Sequence, residues 1–167
     1  HLLDFGWQSH VLSVDPGIYA DCDRALEAQV PAQISVQRLP CRDAKQRWSI
    51  AGRYPAIVGV PDRFGSWRGA AVRAGRDLIK RGVVQALYST YPVPSAHLIA
   101  LALKRRSGLP WIADFRDPWA GGGGHGWRYR IDAWLESRVV TAADRVLANT
   151  EALREDLRDQ VLRAQRG

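Results

Sequence analysis

Three charged side chains, Asp114, Arg116 and Asp117, follow one another closely where an apolar run ends. The planar guanidinium of an arginine binds phosphate or carboxylate groups through two parallel hydrogen bonds. An aspartate accepts hydrogen bonds from ligand hydroxyl groups or acts as a general base, and Asp117 is the candidate for that catalytic role. The same residues would also serve as an Asp–Arg pair that only holds a loop, and their pattern leaves both interpretations open.

A second candidate group lies in the turn around residues 88–98, between a strand-like segment and a helical one. The first turn of a helix presents free N–H groups that bind phosphates or hydroxyl groups, so Ser95 is a candidate binding residue as well as a candidate N-cap. His97 either faces a cleft or packs against the neighbouring strand. Tyr91 lies on the turn itself, where its side chain could stack on a ring of the ligand.

Four consecutive glycines, residues 121–124, follow the charged group. They lack the G-x-G-x-x-G spacing of a dinucleotide-binding turn and the Lys-Ser or Lys-Thr ending of a P-loop. A nucleotide-dependent oxidoreductase is therefore disfavoured. With Trp119 before it and His125 and Trp127 after it, the tract is either a mobile flap that carries aromatic side chains or a plain connector.

Histidine and cysteine are spaced too widely for a metal site. The four histidines are His1, His10, His97 and His125, and the two cysteines are Cys22 and Cys41. We expect no metal ion and no bound cofactor.

Arginine dominates the charge of the chain. The 167 residues include 24 lysines and arginines, 21 of them arginine, against 17 acidic residues, which gives a net charge of +7. Such a surface attracts anions, for example nucleic acid, acidic lipid head groups or phosphorylated substrates. The densest basic run, residues 104–106, ends a predicted helix, where cations also stabilise the helix dipole. No apolar run reaches the roughly 18 residues that cross a bilayer, and no export signal is visible, so we expect a cytoplasmic protein.

Helical and strand-like segments alternate in the second half of the chain. Such alternation forms parallel sheets through right-handed crossovers, which predicts an α/β, Rossmann-like, doubly wound fold with both sheet faces covered. Ligands bind these sheets beyond the carboxyl ends of the strands, here after Thr90, after Phe115 and at Asn149. The predicted strands are 8–14, 34–40, 83–90, 111–115 and 145–149, and the predicted helices are 67–81, 95–106, 128–144 and 151–165.

Residues with helix-capping chemistry flank these predicted helices. Ser66, Ser95 and Thr150 are candidate N-caps, because a short oxygen-bearing side chain accepts a hydrogen bond from the first helical turn. Gly82 and Gly108 are candidate C-caps, because glycine readily adopts the left-handed conformation that closes a helix.

Two long segments carry a resemblance to a known family. The segment YSTYPVPSAHLIALALKRRSGLPWIADFRDPW, residues 88–119, closely resembles the N-terminal domain of bacterial family-4 glycosyltransferases with the GT-B fold. The segment WLESRVVTAADRVLANTEALREDL, residues 134–157, continues the resemblance, and residues 5–16 are similar to the segment after the family's first helix. The resemblance covers most of the chain except roughly 20–60.

This resemblance implies an architecture of two Rossmann-like domains that face each other across a cleft. Residues 1–167 would be a partial N-terminal, acceptor-side domain, truncated at both ends. The family's first strand and its Gly-rich loop would precede His1, and the C-terminal domain that holds the nucleotide-sugar donor would lie outside this sequence. The isolated segment would then be inactive, because half of the cleft is absent.

The resemblance also implies a retaining, metal-independent transfer of a sugar from a nucleotide-sugar donor. Many members of the wider family carry a histidine where this sequence has Arg116, so the role of that histidine is not carried over. Asp117 is our catalytic candidate, and the acceptor-binding candidates are Asp114, Arg116, Tyr91, Ser95 and His97.

The expected partners follow from the resemblance and from the charge. They are a sugar or lipid-linked acceptor, the nucleotide-sugar donor and an anionic membrane surface, in cell-envelope or exopolysaccharide synthesis at the inner face of the cytoplasmic membrane. The alternative is a non-catalytic Rossmann-like domain that binds an anion or nucleic acid. Nucleic acid is the less expected partner, because the basic residues are scattered and no reading helix is evident.

Overall fold

Parallel β-sheets and α-helices build the chain, in a computed structural model that describes residues 2–19, 23–44, 59–120 and 126–164. The strands within these residues are β1 (His10–Val14), β2 (Ser35–Leu39), β3 (Leu87–Thr90), β4 (Trp111–Phe115) and β5 (Arg145–Ala148). The helices are α1 (Arg24–Glu27), α2 (Arg68–Lys80), α3 (Pro94–Ser107), α4 (Trp127–Ala142) and α5 (Glu151–Ala164). Strands β1 and β2 pair in parallel, and β3, β4 and β5 form a second parallel sheet in that order. The predicted Rossmann-like α/β class is confirmed, with the described strands divided between two sheets.

The register of the three-stranded sheet brings the carboxyl ends of its strands to one edge. Thr90 at the end of β3 lies opposite Asp114 of β4, and Phe115 at the end of β4 lies opposite Ala148 of β5. The turns that follow these strands therefore leave the sheet side by side, where a parallel sheet places its ligand site.

The observed strand bounds follow the pairing rather than the apolar pattern. Strand β4 has the predicted bounds, but β3 begins at Leu87 rather than at Val83. The partner strand begins only at Trp111, which lies opposite Leu87, so β4 offers residues 83–86 nothing to pair with. An apolar run marks where a strand is possible, and the length of the neighbouring strand decides where it starts.

Two of the predicted N-caps are wrong. Helix α3 begins at Pro94, and its early N–H group at Ser95 donates to Asp62 Oδ2 at 2.6 Å, so a carboxylate distant in sequence caps this helix. The Ser66 hydroxyl instead donates to the main-chain oxygen of Arg42 and accepts from its N–H group.

The remaining capping predictions are confirmed. Thr150 Oγ1 accepts the N–H of Leu153 at 3.3 Å in the first turn of α5. Gly82 and Gly108 adopt φ values of 71° and 70°, in the left-handed region that favours glycine.

One face of the three-stranded sheet is buried beneath helices. Trp111, Ala113 and Phe115 of β4 are all 0% exposed. They pack with apolar residues of three helices, namely Leu98 and Leu101 of α3, Val139 and Val140 of α4, and Leu153 and Leu157 of α5. The opposite face is open at Tyr88 and Leu147 among the described residues, which differs from the prediction that both faces of β5 would be covered.

Helices α2 and α3 approach closely at Gly75. A Cβ atom added to Gly75 would lie 2.6 Å from Leu103 Cδ1, well inside contact distance, and Leu103 is itself only 5% exposed. Glycine costs up to about 1 kcal/mol in a helix relative to alanine, so its presence here is explained by this close approach.

We expect Gly75→Ala to destabilise the protein by about 1–2 kcal/mol, because the cost of overpacking against Leu103 exceeds the gain in helix propensity. The measurement is the free energy of unfolding in urea. Gly69→Ala is the matched control on the same helix, and it should be neutral or stabilising, since the atom nearest its added Cβ is the end of the Arg73 side chain at 3.7 Å. Equal effects of the two variants would contradict this account of the helix contact.

Candidate functional site

A cleft of about 740 Å³ opens at the carboxyl edge of the three-stranded sheet. Arg116 and Asp117 form one wall after β4, and Asn149 and Thr150 form another after β5. The helices complete it with Tyr129, Ala133 and Ser137 of α4 and with Leu153, Asp156 and Gln160 of α5. Two of the three strand ends that the sequence indicated therefore border one concavity.

Asp114 lies beside this cleft rather than in it, and it orients Arg116. Its Oδ2 atom accepts hydrogen bonds from the hydroxyl groups of Tyr88 at 2.7 Å and Thr90 at 2.9 Å. The same atom lies 3.6 Å from Arg116 Nε, while the Arg116 side chain keeps 63% of its surface exposed. The Asp–Arg pair that the sequence left open is present, and it leaves the guanidinium accessible to a ligand.

The titration of this group favours an ionised Asp114. Burial alone would raise the pKa of Asp114, but the hydrogen bonds from Tyr88 and Thr90 and the interaction with Arg116 together lower it below its usual value. Burial, followed by the hydrogen bond to Asp114 and its charge, raises the pKa of Tyr88 to about 12. Asp114 is therefore a charged anchor at neutral pH and Tyr88 a neutral donor.

A buried carboxylate from α4 holds the turn that carries Arg116 and Asp117. Glu136, which is 0% exposed, accepts the main-chain N–H of Trp119 at 3.0 Å and that of Ala120 at 3.3 Å. The amide of Gln160 on α5 donates to it at 2.9 Å. Burial raises the pKa of Glu136 above its usual value, although these three donors favour the charged form.

Asp132, one helical turn before Glu136, fixes the side chain of the same turn. Its Oδ1 atom accepts the indole N–H of Trp119 at 3.3 Å, and Trp119 is 8% exposed. Its Oδ2 atom lies 3.5 Å from Arg128 Nε. Burial raises the pKa of Asp132, and the charge of Arg128 opposes that shift. The two carboxylates together clamp residues 119–120 against α4 and so set the outline of the cleft.

His97 belongs to the core beneath the cleft. Its Nδ1 atom lies 2.7 Å from Ser89 Oγ, which also accepts the indole N–H of Trp111 at 2.9 Å. The imidazole lies 4.4 Å from the ring of Phe115 and stacks on Tyr91 at 6.2 Å, measured between centroids. Burial lowers the pKa of His97 to about 4, so the ring is neutral at pH 7.

The six predicted site residues fall into three groups. Arg116 and Asp117 line the cleft. Asp114 and Tyr91 lie beside or beneath it, and Ser95 and His97 are buried in the core. The predicted ligand contacts of Ser95 and His97 do not fit this arrangement, because both side chains are 0% exposed. For His97 the packing interpretation holds, and for Ser95 the helix end is already occupied by Asp62. The proposed ligand contacts of the other four remain predictions.

Sequence reasoning missed the two acidic residues of α4. Glu136 and Asp132 look like surface charges of an ordinary helix. The available signal was their spacing of four residues, which places both on the side of α4 that also carries the apolar Val139 and Val140. The glycine tract at 121–124 and His125 lie outside the described residues, and the flap there stays a prediction.

Metal and membrane-spanning features are absent from the described ranges. No group of three or more potential metal ligands occurs there. No helix within those ranges combines the length and apolar character that spanning a bilayer requires.

The family model described as a glycosyl transferase 4-like domain matches residues 1–167. A search of curated proteins finds no match to the chain.

The depressed pKa of His97 predicts a loss of stability in mild acid. The unfolded chain binds a proton near pH 6.5 and the folded chain only near pH 4, so stability falls as the pH is lowered through this window. The full effect is about 3 kcal/mol. We expect the free energy of unfolding of His97→Gln to lose this slope between pH 6.5 and 4, while His10→Gln keeps it. An unchanged slope in His97→Gln would show that another group causes the acid sensitivity.

Loss of the Glu136 carboxylate should destabilise the turn that borders the cleft. We expect Glu136→Ala to lower the free energy of unfolding by about 2–4 kcal/mol, since it leaves the buried N–H of Trp119 and the partly buried N–H of Ala120 unpaired and opens a void. Glu155→Ala, an exposed position on α5, is the matched control and should change it by less than about 0.5 kcal/mol. Urea unfolding of both variants measures the difference, and similar small effects would contradict the role of Glu136.

Proposed function

Because the chain belongs to the glycosyl transferase 4-like family, we propose that it is the acceptor-binding domain of a retaining glycosyltransferase that uses a nucleotide-sugar donor. The observation that carries this proposal is the cleft at the carboxyl edge of the sheet, with Arg116 and Asp117 together on its wall. Its volume of about 740 Å³ lies within the range of small-molecule binding sites.

The polar lining of the cleft suits a ligand with many hydroxyl groups. Carboxylates at Asp117 and Asp156, the amide of Asn149 and the hydroxyl of Thr150 supply acceptors and donors around one space. Sugar hydroxyls both donate and accept hydrogen bonds, so a mixed lining of this kind binds and orients them. The ring of Tyr129 adds an apolar surface on the α4 side.

Asp117 and Arg116 have separate roles in this proposal. Asp117 accepts a hydrogen bond from the attacking hydroxyl of the acceptor and so orients it as a general base would. Arg116 binds a phosphate or carboxylate of the acceptor through its guanidinium, which Asp114 holds from behind. The nucleotide-sugar donor would be held mainly by a second domain, and the acceptor would be a sugar or a lipid-linked sugar.

The cellular setting is part of the same proposal. Synthesis of cell-envelope material or exopolysaccharide at the inner face of the cytoplasmic membrane would supply lipid-linked acceptors carrying phosphate. The net charge of +7 supports a partner of this kind, because it attracts anionic acceptors and anionic lipid surfaces.

The test uses the full-length protein with a panel of radiolabelled nucleotide sugars and a bacterial lipid extract as the source of acceptors. We expect Asp117→Asn to lower kcat by about a hundredfold or more, because a carboxylate that orients the attacking hydroxyl is lost. We expect Arg116→Gln to raise KM for the acceptor more than it lowers kcat, because it removes binding to an anionic group.

Two exposed residues of α2 supply matched controls. Asp77→Asn and Arg76→Gln make the same chemical changes on α2, whose residues do not line the cleft, and both should retain full transfer. Full activity of Asp117→Asn and Arg116→Gln would exclude this cleft as the acceptor site. Absence of transfer from every donor in the wild-type protein would contradict the enzymatic role itself.

A further inference from the structure

Helix α4 presents two large aromatic side chains and two arginines on its outward side, which we name the Arg–Trp face: Trp127, Arg130, Trp134 and Arg138. The first three are exposed and Arg138 is half-buried. At 100° per residue these four positions fall within an arc of about 80°. Trp127 is 48% exposed and Trp134 is 55% exposed, although tryptophan is usually among the most buried residues. Two large aromatic side chains that stay exposed on the same side of a helix are typical of a binding surface.

The core does not account for this face. The side of α4 that packs inward carries Asp132, Glu136, Val139 and Val140, which lie on the opposite side of the helix. The guanidinium of Arg138 lies 4.6 Å from the centroid of the Trp134 ring, a cation–π contact that holds the ring at the surface. The two tryptophans are thus neither part of the core nor folded back onto it.

The chemistry of the face matches the head-group layer of an anionic membrane. Tryptophan is enriched where water meets lipid, because its ring is apolar and its N–H is polar, and arginine binds lipid phosphates while its stem lies on apolar surface. Ile131 and Thr141 fill the remaining positions on this side of α4, so the face carries two positive charges and no acidic residue. From Trp127 to Arg138 the helix rises about 16 Å, which suits a helix lying in the plane of the interface.

We propose that the Arg–Trp face binds an anionic lipid bilayer, with α4 lying along its surface. A membrane is favoured over a nucleic acid because half of the face is aromatic and the aromatic side chains alternate with the arginines along one helix.

The same helix connects this face to the cleft. Ala133 and Ser137 line the cleft, and each immediately precedes a residue of the Arg–Trp face, Trp134 and Arg138. Neighbouring residues lie about 100° apart around a helix, so the cleft opens roughly a quarter turn from the lipid-binding side. An acceptor anchored in the bilayer would then reach the cleft along the surface of α4. This link between the Arg–Trp face and a lipid-linked acceptor rests on the proposed function.

Sedimentation of the full-length protein with vesicles tests the proposal without any transfer reaction. The vesicles are phosphatidylcholine, alone or with phosphatidylglycerol as one third of the lipid. We expect binding to the anionic vesicles that weakens with added salt, and a much weaker binding to phosphatidylcholine alone. Absence of binding to the anionic vesicles at low salt would overturn the proposal, whatever the outcome of the transfer assay.

Double variants test whether the Arg–Trp face is the surface that binds the vesicles. Each arginine near an anionic membrane contributes about fivefold in affinity, so Arg130→Gln with Arg138→Gln should weaken binding about 25-fold. Trp127→Ser with Trp134→Ser should weaken it about tenfold or more through lost aromatic burial. The matched control is Arg73→Gln with Arg76→Gln, which removes the same charge from exposed positions of α2 and should change binding by less than about threefold.

Three outcomes would overturn the assignment of the face. Equal losses in the two arginine pairs would show general charge attraction without a specific surface. Unchanged binding of the tryptophan pair would show that the aromatic rings do not enter the lipid. A wild-type dimer in sedimentation velocity that becomes monomeric in the tryptophan pair would show that the face joins two copies of the chain.

Discussion

A buried carboxylate joins the ligand edge of the sheet to the helix behind it. Glu136 lies in the interior, where an ionised group is costly unless hydrogen bonds compensate for the lost water. Two main-chain N–H groups of the turn after β4 and the amide of Gln160 supply that compensation. Arg116 and Asp117 precede this anchored point, so their placement depends on a side chain of α4. The shape of the cleft is therefore set by the contact between sheet and helix, and not by the strand end alone.

Helix α4 accordingly meets three environments around its circumference. Its inward side carries two carboxylates that hold the turn, its cleft side carries small residues and Tyr129, and its outer side carries arginine and tryptophan. Because charged and apolar residues occur together on both its inward and its outer side, the helix lacks the simple division into polar and apolar halves that a surface helix usually shows. This mixture is a consequence of the three separate contacts, each with its own chemistry.

The sequence predicted the parts of the fold that local chemistry decides. Strand β4 lies between Pro110 and a charged group, and these flanking residues predict both of its ends. Gly108 predicts the end of α3, because glycine readily adopts the left-handed conformation found there. The start of β3 was wrong because pairing with β4, rather than its own apolar residues, fixes it. Of the site, the positions of Arg116 and Asp117 at a concave edge were predictable from strand order. The anchoring by Glu136 was not, since burial of a helical carboxylate depends on contacts 16 and 17 residues away in the chain.

The cap of α3 by Asp62 has a consequence for anion recognition. A helix start with open N–H groups attracts phosphate, but here a carboxylate from 33 residues earlier already accepts from Ser95 and, through its other oxygen, from Phe64. An incoming anion would meet a resident negative charge and would have to displace it. The carboxylate of Asp62 thus neutralises the positive end of α3. The guanidinium of Arg116, after the neighbouring strand β4, is left as the more accessible binding point for negatively charged molecules.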